Sequence, residues 1–380
     1  MFFEFKHKSF LSLSAVVLLG AVVCSCSKQQ EDSTPREICV LSQKDNTATK
    51  GSGELTTESL RSRSFGLFGY YRNAGEFFDG VDESYRLVDN ATMSFVETTA
   101  GGDRWVCDPT VYWPLGCTMT FFAYAPHLDN AGDILTLPNA DGHLMLRGTY
   151  VVPSDPKEQP DFCLSAPVLD WKVSQGDVPV AFQHTLTRVR FYFNLKGLPY
   201  EGDYHVYRVK ELTIEGLVGT NRFTFGGTNG WSWDDLPRNA IGLRTDAYSM
   251  SIEEGTLDAV DLPYSWDRVS ESGLARYECV NLSEEAALYL LPQPLTSAAS
   301  VTLQLAAYMD DGTGTWVEDT RAAIDPMTVS VPEATVWCSG DTVCYSASID
   351  MTWDMEMVFA VTVTPWENEE KNVTIPAVRP

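Results

Sequence analysis

The residues with the clearest chemical role stand near the amino terminus, where Val23-Cys24-Ser25-Cys26 ends an apolar segment. Two lysines precede Phe10–Val23, a run without any charged residue. Because about 20 apolar residues are needed to cross a bilayer, this run is typical of a signal-peptide core. An aliphatic residue, any residue, a small residue and then cysteine is the pattern at which a bacterial lipoprotein signal is cut and the cysteine is acylated. Cys26 fits this pattern better than Cys24, so lipidation is predicted at Cys26. A plain secretory signal is the alternative.

Seven further cysteines lie beyond this segment, and four of them flank turns: Cys107 with Cys117, and Cys338 with Cys344. An exported chain reaches an oxidising compartment, where disulfides are stable. Both pairs are therefore candidate disulfides, each contributing about 2–3 kcal/mol by loop closure. Sequence spacing does not show whether the Cβ geometry allows either bond.

The sequence lacks the motifs of common enzymes, metal sites and cofactor sites. No Gly-x-Ser-x-Gly, His-Glu-x-x-His or phosphate-binding glycine loop occurs. No Cys-x-x-Cys occurs, and the histidines lack the spacing of zinc ligands. His184 begins an alternating strand, where a packed or hydrogen-bonded histidine is more common than a catalytic base. The prediction is a protein that is not an enzyme and has no cofactor and no metal.

Composition also narrows the class of partner. The net charge of −25 and the pI near 4.4 argue against nucleic acid, whose phosphates need basic patches. With 44% apolar and 12% aromatic residues, the chain can form packed cores and is not a disordered protein.

Short alternating strands separated by turn residues fill the chain. The most informative segment is Tyr112–Pro126, in which Trp113-Pro114 ends one strand and Gly116 forms the turn that leads to the next strand. From Met119 to Ala125 both alternating faces are apolar, which predicts a strand covered on two sides. No amphipathic helix longer than two turns is evident. The fold predicted is all-β, built from sandwiches.

Domain boundaries follow from composition. Residues 1–25 are the predicted signal peptide, and residues 26–35 form a polar tether. Prolines crowd Pro153–Pro179, where strand periodicity is interrupted, and alternation resumes at Val178. Two β-sandwich domains are therefore predicted, at residues 36–177 and 178–380.

Several motifs in order resemble the fimbrillin family, the pilus subunits of Bacteroidales. The motifs are Phe65–Tyr70, Tyr112-Trp113-Pro114, the Phe-Ala-Tyr-Ala-Pro segment Phe122–Pro126, Phe182–Val189, Leu291–Pro294, Trp337 with Gly340 and Tyr345, and Val363–Trp366. The resemblance implies two tandem transthyretin-like sandwiches and a surface-exposed lipoprotein of the outer membrane that is part of a fimbrium and supports adhesion. The partners it implies are other fimbrial subunits by strand addition, the outer membrane through the lipid anchor, and a host protein or glycan.

The resemblance also implies a mechanism of assembly. A protease specific for arginine or lysine removes the first strand, and a strand of the next subunit fills the groove. Here Glu37–Gln43 is the candidate first strand, and Arg61 and Arg63 are the candidate cleavage points before the Phe65 strand. Asn372–Ile375 could form part of a donor strand.

Two alternatives stay open. The protein could be an uncleaved anchor or tip adhesin of a pilus. It could instead be a glycan-binding surface lipoprotein, since exposed aromatic residues such as Trp171, Trp231, Trp233 and Trp353 can hold sugars.

Overall fold

The computed structural model describes residues 35–42, 55, 57–73, 85–97, 104–128, 135–138, 144–196, 205–226, 230–236, 246–251, 275–278, 287–331, 336–350 and 356–365. Cys26, Trp353 and Asn372–Ile375, which were singled out in the sequence, lie outside these residues.

The described residues form strands, the short helix α1 (Thr57–Arg61) and brief 3₁₀ turns. The strands before residue 177 are β1 (Cys39–Ser42), β2 (Phe65–Asn73), β3 (Arg86–Val96), β4 (Arg104–Asp108), β5 (Cys117–Ala125), β6 (Leu135–Pro138), β7 (Leu144–Val151), β8 (Cys163–Ser165) and β9 (Val168–Trp171). The later strands are β10 (Val178–Val180), β11 (Phe182–His184), β12 (Thr187–Lys196), β13 (Val206–Leu217), β14 (Thr220–Phe225), β15 (Trp231–Trp233), β16 (Asp246–Ser251), β17 (Ala275–Glu278), β18 (Leu288–Leu290), β19 (Ser300–Asp310), β20 (Trp316–Glu318), β21 (Met327–Ser330), β22 (Asp341–Asp350) and β23 (Glu356–Pro365). The all-β prediction is confirmed. No helix among the described residues is long and apolar enough to cross a membrane.

The first sheet has the strand order β10-β1-β4-β3-β2-β5-β8-β11, with β9 also paired to β5. β10 and β11 stand at opposite ends of this order, although only Ala181 separates them in the chain. A sheet whose two edges are one residue apart must curl round on itself. The segment from β10 to β11 therefore closes the sheet around an apolar interior.

Strand β5 lies between two cores. Met119, Phe121, Ala123 and Ala125 belong to the first core, which also contains Val40, Phe65, Trp105 and Val178. Phe122 and Tyr124 belong to the second core, together with residues of β12, β13, β19 and β22. All six side chains are at most 1% exposed. The predicted strand with two covered faces is confirmed, and its second face packs against the carboxy-terminal half of the chain.

Three further sheets have the orders β17-β12-β22-β23, β16-β13-β19-β20 and β15-β14-β7-β6. The last one joins strands from both sides of residue 177, since β7 pairs with β14. The first sheet also crosses that residue through β10 and β11, and Arg36–Pro380 is one compact unit by its contacts. The division into domains at residues 177 and 178 therefore stays a prediction.

Candidate functional site

The first described strand, β1, occupies an interior position of the first sheet. β1 runs parallel to β10, with Val40 opposite Val178, and antiparallel to β4, with Val40 also opposite Trp105. β1 was predicted from sequence at Glu37–Gln43, and the structure has it at Cys39–Ser42 with an isolated bridge from Glu37 to Tyr112. We call the space between β4 and β10 that β1 fills the β1 slot.

Backbone hydrogen bonds extend this pairing towards the amino terminus. The Ile38 N–H donates to the Val111 carbonyl at 2.9 Å, and the Trp113 N–H donates to the Arg36 carbonyl at 2.9 Å. The Trp113 ring packs edge-on against Phe121 at 5.6 Å between centroids. The Tyr-Trp-Pro segment therefore holds the start of the first strand against the first core.

The side chains of β1 are buried in the slot. Ile38 is 1% exposed and Val40 is 0% exposed, and both belong to the first core. Ion pairs lie at the end where the strand enters: Arg36 with Asp177 at 3.5 Å, and Glu37 with Arg104 at 3.6 Å. Since these pairs are partly exposed, the apolar contacts and the ladder supply most of the stabilisation.

The segment between β1 and β2 is fixed to the protein at two apolar points. Leu55 is 8% exposed and Leu60, in α1, is 3% exposed. The Leu55 N–H also donates to Oδ2 of the buried Asp161 at 2.9 Å. A helix of five residues is marginal by itself, so these contacts hold α1 in place.

The two candidate cleavage points differ in their surroundings. Arg61 ends α1, is exposed, and places its guanidinium 4.8 Å from the centroid of the Phe95 ring. The next residue, Ser62, is exposed in a turn. Arg63 is half-buried, and the carbonyl of Ser64 after it accepts a hydrogen bond from the His127 N–H at 2.9 Å. The bond after Arg61 is thus the more accessible of the two.

The structure has the described cysteines as thiols. Cys107 lies in β4 and Cys117 begins β5, and β3 and β2 stand between those strands. With neighbouring strands about 4.8 Å apart, this order is incompatible with a disulfide, whose Cα atoms must lie within about 7 Å. The suggested Cys107–Cys117 bond is therefore wrong for this fold. Cys338 is exposed before β22 and Cys344 is buried within β22, and their pairing stays a prediction.

A cavity of about 460 Å³ lies beside β15 in the carboxy-terminal half. Its lining includes Trp231, Trp233, Asp234, Asp235 and Trp337. Trp337 is fully buried and donates its indole N–H to the Tyr345 hydroxyl at 2.9 Å. Trp231 and Trp233 are half-buried, with indole N–H groups bonded to Gln183 and to the Thr185 carbonyl. Trp171, by contrast, packs on the first core.

Sequence reasoning missed a polar cluster made by Asp161, Cys163 and His184. His184 Nδ1 lies 2.8 Å from Asp161 Oδ2 and 3.6 Å from Cys163 Sγ. A hydrogen-bonded His184 was predicted. A cysteine–histidine–aspartate triad for nucleophilic catalysis needs the thiol and the carboxylate on different ring nitrogens. Here both approach Nδ1, and the thiol is 1% exposed, so the cluster has no triad geometry. The signal in the sequence was an alternating Asp-x-Cys, which becomes informative only when β11 is known to lie opposite.

Comparisons with known proteins concern the family of this chain and its fold. The family model described as fimbrillin-like matches residues 62–366. The crystal structure of a fimbrial protein from Bacteroides vulgatus ATCC 8482 has 17% sequence identity and a TM-score of 0.55, covering 87% of this chain and 99% of that one. That of a candidate cell adhesion protein from Bacteroides uniformis ATCC 8492 has 13% identity and a TM-score of 0.47, covering 87% and 98%. No curated protein sequence matches. Since the family model spans most of its length, this chain belongs to the fimbrillin-like family.

Proposed function

We propose that this protein is a fimbrial subunit that assembles on the cell surface by donor-strand exchange and supports adhesion. The observation that carries the proposal is the position of β1. It is the first described strand, yet it lies inside the first sheet, and an exposed arginine follows it before β2 begins. β1 also lies outside residues 62–366, the region that matches the family.

Cleavage after Arg61 breaks the covalent connection between β1 and the rest of the sheet. Loss of the strand leaves N–H and C=O groups of β4 and β10 without their ladder partners. It also uncovers the apolar side chains of Trp105, Val178 and Val180. An extended segment with alternating apolar residues, supplied by another subunit, can pair with these backbone groups and cover these apolar side chains.

Arg61 is the cleavage point we favour over Arg63. A protease must draw residues on both sides of the scissile bond into an extended conformation. After Arg61 these are α1, which is short, and Ser62, which is exposed. After Arg63 they include Ser64, whose carbonyl is hydrogen-bonded, and Phe65, which is 0% exposed.

The experiment that tests the proposal is limited digestion of the purified chain with an arginine-specific protease. We expect loss of the residues up to Arg61, shown by mass spectrometry, followed by oligomers that resist SDS. Arg61→Gln should block trimming and oligomers, whereas the matched variant Arg63→Gln should leave both intact. A trimmed chain that stays monomeric would exclude a shaft subunit and leave the uncleaved anchor or tip.

Attachment to the outer membrane through a lipid on Cys26 is part of the proposal. A thioether-linked diacylglycerol with a further acyl chain is enough for stable anchoring. Cells grown with labelled palmitate should label the wild-type chain and Cys24→Ser, but not Cys26→Ser. Labelling of Cys26→Ser would disprove acylation at that residue.

The cavity beside β15 favours a second candidate function, binding of a glycan. Indole faces stack on sugar rings, and carboxylates accept hydrogen bonds from sugar hydroxyls. The lining of this cavity includes an indole from Trp231 and a carboxylate from Asp235. Glycan-array binding by the uncleaved monomer that is lost in Trp231→Ala and kept in Trp171→Ala would support it. Absence of binding by the wild-type chain would rule it out.

A further inference from the structure

The cluster of Asp161, Cys163 and His184 arises directly from strand geometry. Cys163 begins β8 and His184 ends β11, and the two residues are directly opposite each other in this antiparallel pair. Opposite residues of such a pair place their side chains on the same face of the sheet. Asp161 is two residues before Cys163, so alternation brings its side chain to that face as well. The three groups therefore converge without any loop to position them.

We propose that Asp161, Cys163 and His184 form a binding site for a transition-metal ion of the zinc class. The three side chains each offer one ligand atom, and these atoms all lie within 4.8 Å of one another. Thiolate, imidazole and carboxylate are the ligand types that Zn²⁺ binds in proteins, whereas Mg²⁺ and Ca²⁺ prefer oxygen alone.

The separations of the atoms fit a tetrahedral site. With the usual Zn–S, Zn–N and Zn–O bond lengths, the edges of a tetrahedron that involve sulfur are about 3.6 Å and the N–O edge is about 3.4 Å. Cys163 Sγ is 3.6 Å from His184 Nδ1 and 3.5 Å from Asp161 Oδ1. Both sulfur edges thus already have the required length. The 2.8 Å contact of His184 Nδ1 is a hydrogen bond with Asp161 Oδ2, the other carboxylate oxygen, and metal binding at Nδ1 replaces this bond.

Charge and burial are also compatible with this ion. Asp161 is 0% exposed and Cys163 is 1% exposed, so an uncompensated charge here would be costly. One carboxylate, one thiolate and a neutral imidazole compensate a divalent cation, and the complex carries no net charge. Binding breaks the S–H bond of Cys163, whose proton goes to the buffer, and the neutral imidazole of His184 carries its proton on Nε2 so that Nδ1 can coordinate. The His184 side chain is 21% exposed, which gives the ion a path of entry and a water as fourth ligand.

Leu55 contributes to the site through its backbone. Its N–H donates to Asp161 Oδ2, which leaves Oδ1, the oxygen nearer Cys163, for the metal. Hydrogen bonds of this kind orient metal-binding carboxylates, and their loss typically lowers affinity about 10–100-fold. Leu55→Pro removes the N–H, whereas Leu55→Ala keeps it.

The test is titration of the full chain, solubilised in detergent, with Co²⁺ and then Zn²⁺ in a buffer with excess Mg²⁺. The Mg²⁺ occupies surface carboxylates, which are abundant in a chain with a net charge of −25. We expect one Co²⁺ per chain, a thiolate-to-cobalt charge-transfer band in the near ultraviolet, and displacement by Zn²⁺. The dissociation constant for Zn²⁺ should be on the order of 1 μM or tighter.

Variants assign the ligands. Cys163→Ser should abolish the charge-transfer band, and the matched variant Cys338→Ser should keep it. Asp161→Asn and His184→Gln should each weaken binding at least tenfold, and Leu55→Pro should weaken it more than Leu55→Ala. Near-ultraviolet circular dichroism identifies any variant that fails to fold. The proposal is overturned if the folded wild-type chain shows no charge-transfer band, or if Cys163→Ser retains it. Neither result depends on strand exchange, so failure here leaves the proposed function untouched.

Discussion

Val40 is the residue that best tests whether β1 holds the first core together. It is 0% exposed, at the centre of β1, and faces residues of both β10 and β4. Val40→Ala removes two methyl groups, each contributing about 0.8 kcal/mol through burial. The cavity left behind adds about 1 kcal/mol, because the paired strands on both sides prevent it from collapsing. We expect the free energy of unfolding of the uncleaved protein to fall by about 2–3 kcal/mol.

The measurement is urea unfolding followed by tryptophan fluorescence, before and after cleavage at Arg61. In the uncleaved protein Val40→Ala should lower the midpoint. After cleavage and release of the amino-terminal fragment, wild type and Val40→Ala should unfold identically. Val363→Ala is the matched control, because Val363 is 47% exposed in β23 and should change stability by at most about 0.5 kcal/mol in either form.

Two results would refute the reasoning. A loss below about 0.5 kcal/mol in the uncleaved protein would mean that Val40 does not fill the β1 slot. A penalty that persists after cleavage would mean that the fragment stays bound. In that case trimming alone does not open the slot, and exchange with a donor strand would have to displace β1.

Three further predictions concern stability. Burial raises the pKa of the Cys107 thiol to about 11, so the stabilisation that the buried neutral thiol provides is fully present below pH 9 and is lost as the pH rises through 11. Over this range the free energy of unfolding should therefore decline less in Cys107→Ala than in the wild type. Equal slopes in the two proteins would contradict this prediction. Gly216 has φ of 76° and an added Cβ would lie 2.0 Å from a backbone oxygen, so Gly216→Ala should cost about 2–5 kcal/mol in urea unfolding. Gly312 has φ of 89° with open space around it, so Gly312→Ala should cost only about 1–2 kcal/mol; similar costs would contradict the clash. The Gln293 side chain bonds both backbone groups of Val218, so Gln293→Glu, which loses the donor, should lower the thermal midpoint by several degrees, whereas an unchanged midpoint would refute that role.

Sequence patterns predicted those features that depend on local alternation. The two apolar faces of β5 were visible because side chains alternate along a strand, and they correspond to the two cores. The strand character of β1 was visible for the same reason. The Leu-Pro-Gln segment was recognised only through the family resemblance. In the structure, the Gln293 side chain makes the two hydrogen bonds to the Val218 backbone that a neighbouring strand would otherwise make.

Features that depend on the order of strands were not predictable. Cys107 and Cys117 are ten residues apart in sequence and flank a turn, yet β2 and β3 lie between their strands. Asp161, Cys163 and His184 meet only because β8 pairs with β11 in one particular register. Pairing between distant strands is decided by burial of whole faces and by loop closure, and neither is encoded in the spacing of individual residues.

The separation of the two cores explains how a subunit of this family could lose its first strand and remain folded. Among the described residues, Ile38 and Val40 belong to the first core and not to the second, so removal of β1 would leave the second core unchanged in composition. β5 contributes to both cores, and the ladder between β5 and β2 does not involve β1. The second core would therefore keep β2 and β5 in place if β1 were removed. An open slot on a sheet that is still held from its other face is preorganised for an incoming strand, which lowers the conformational cost of binding it.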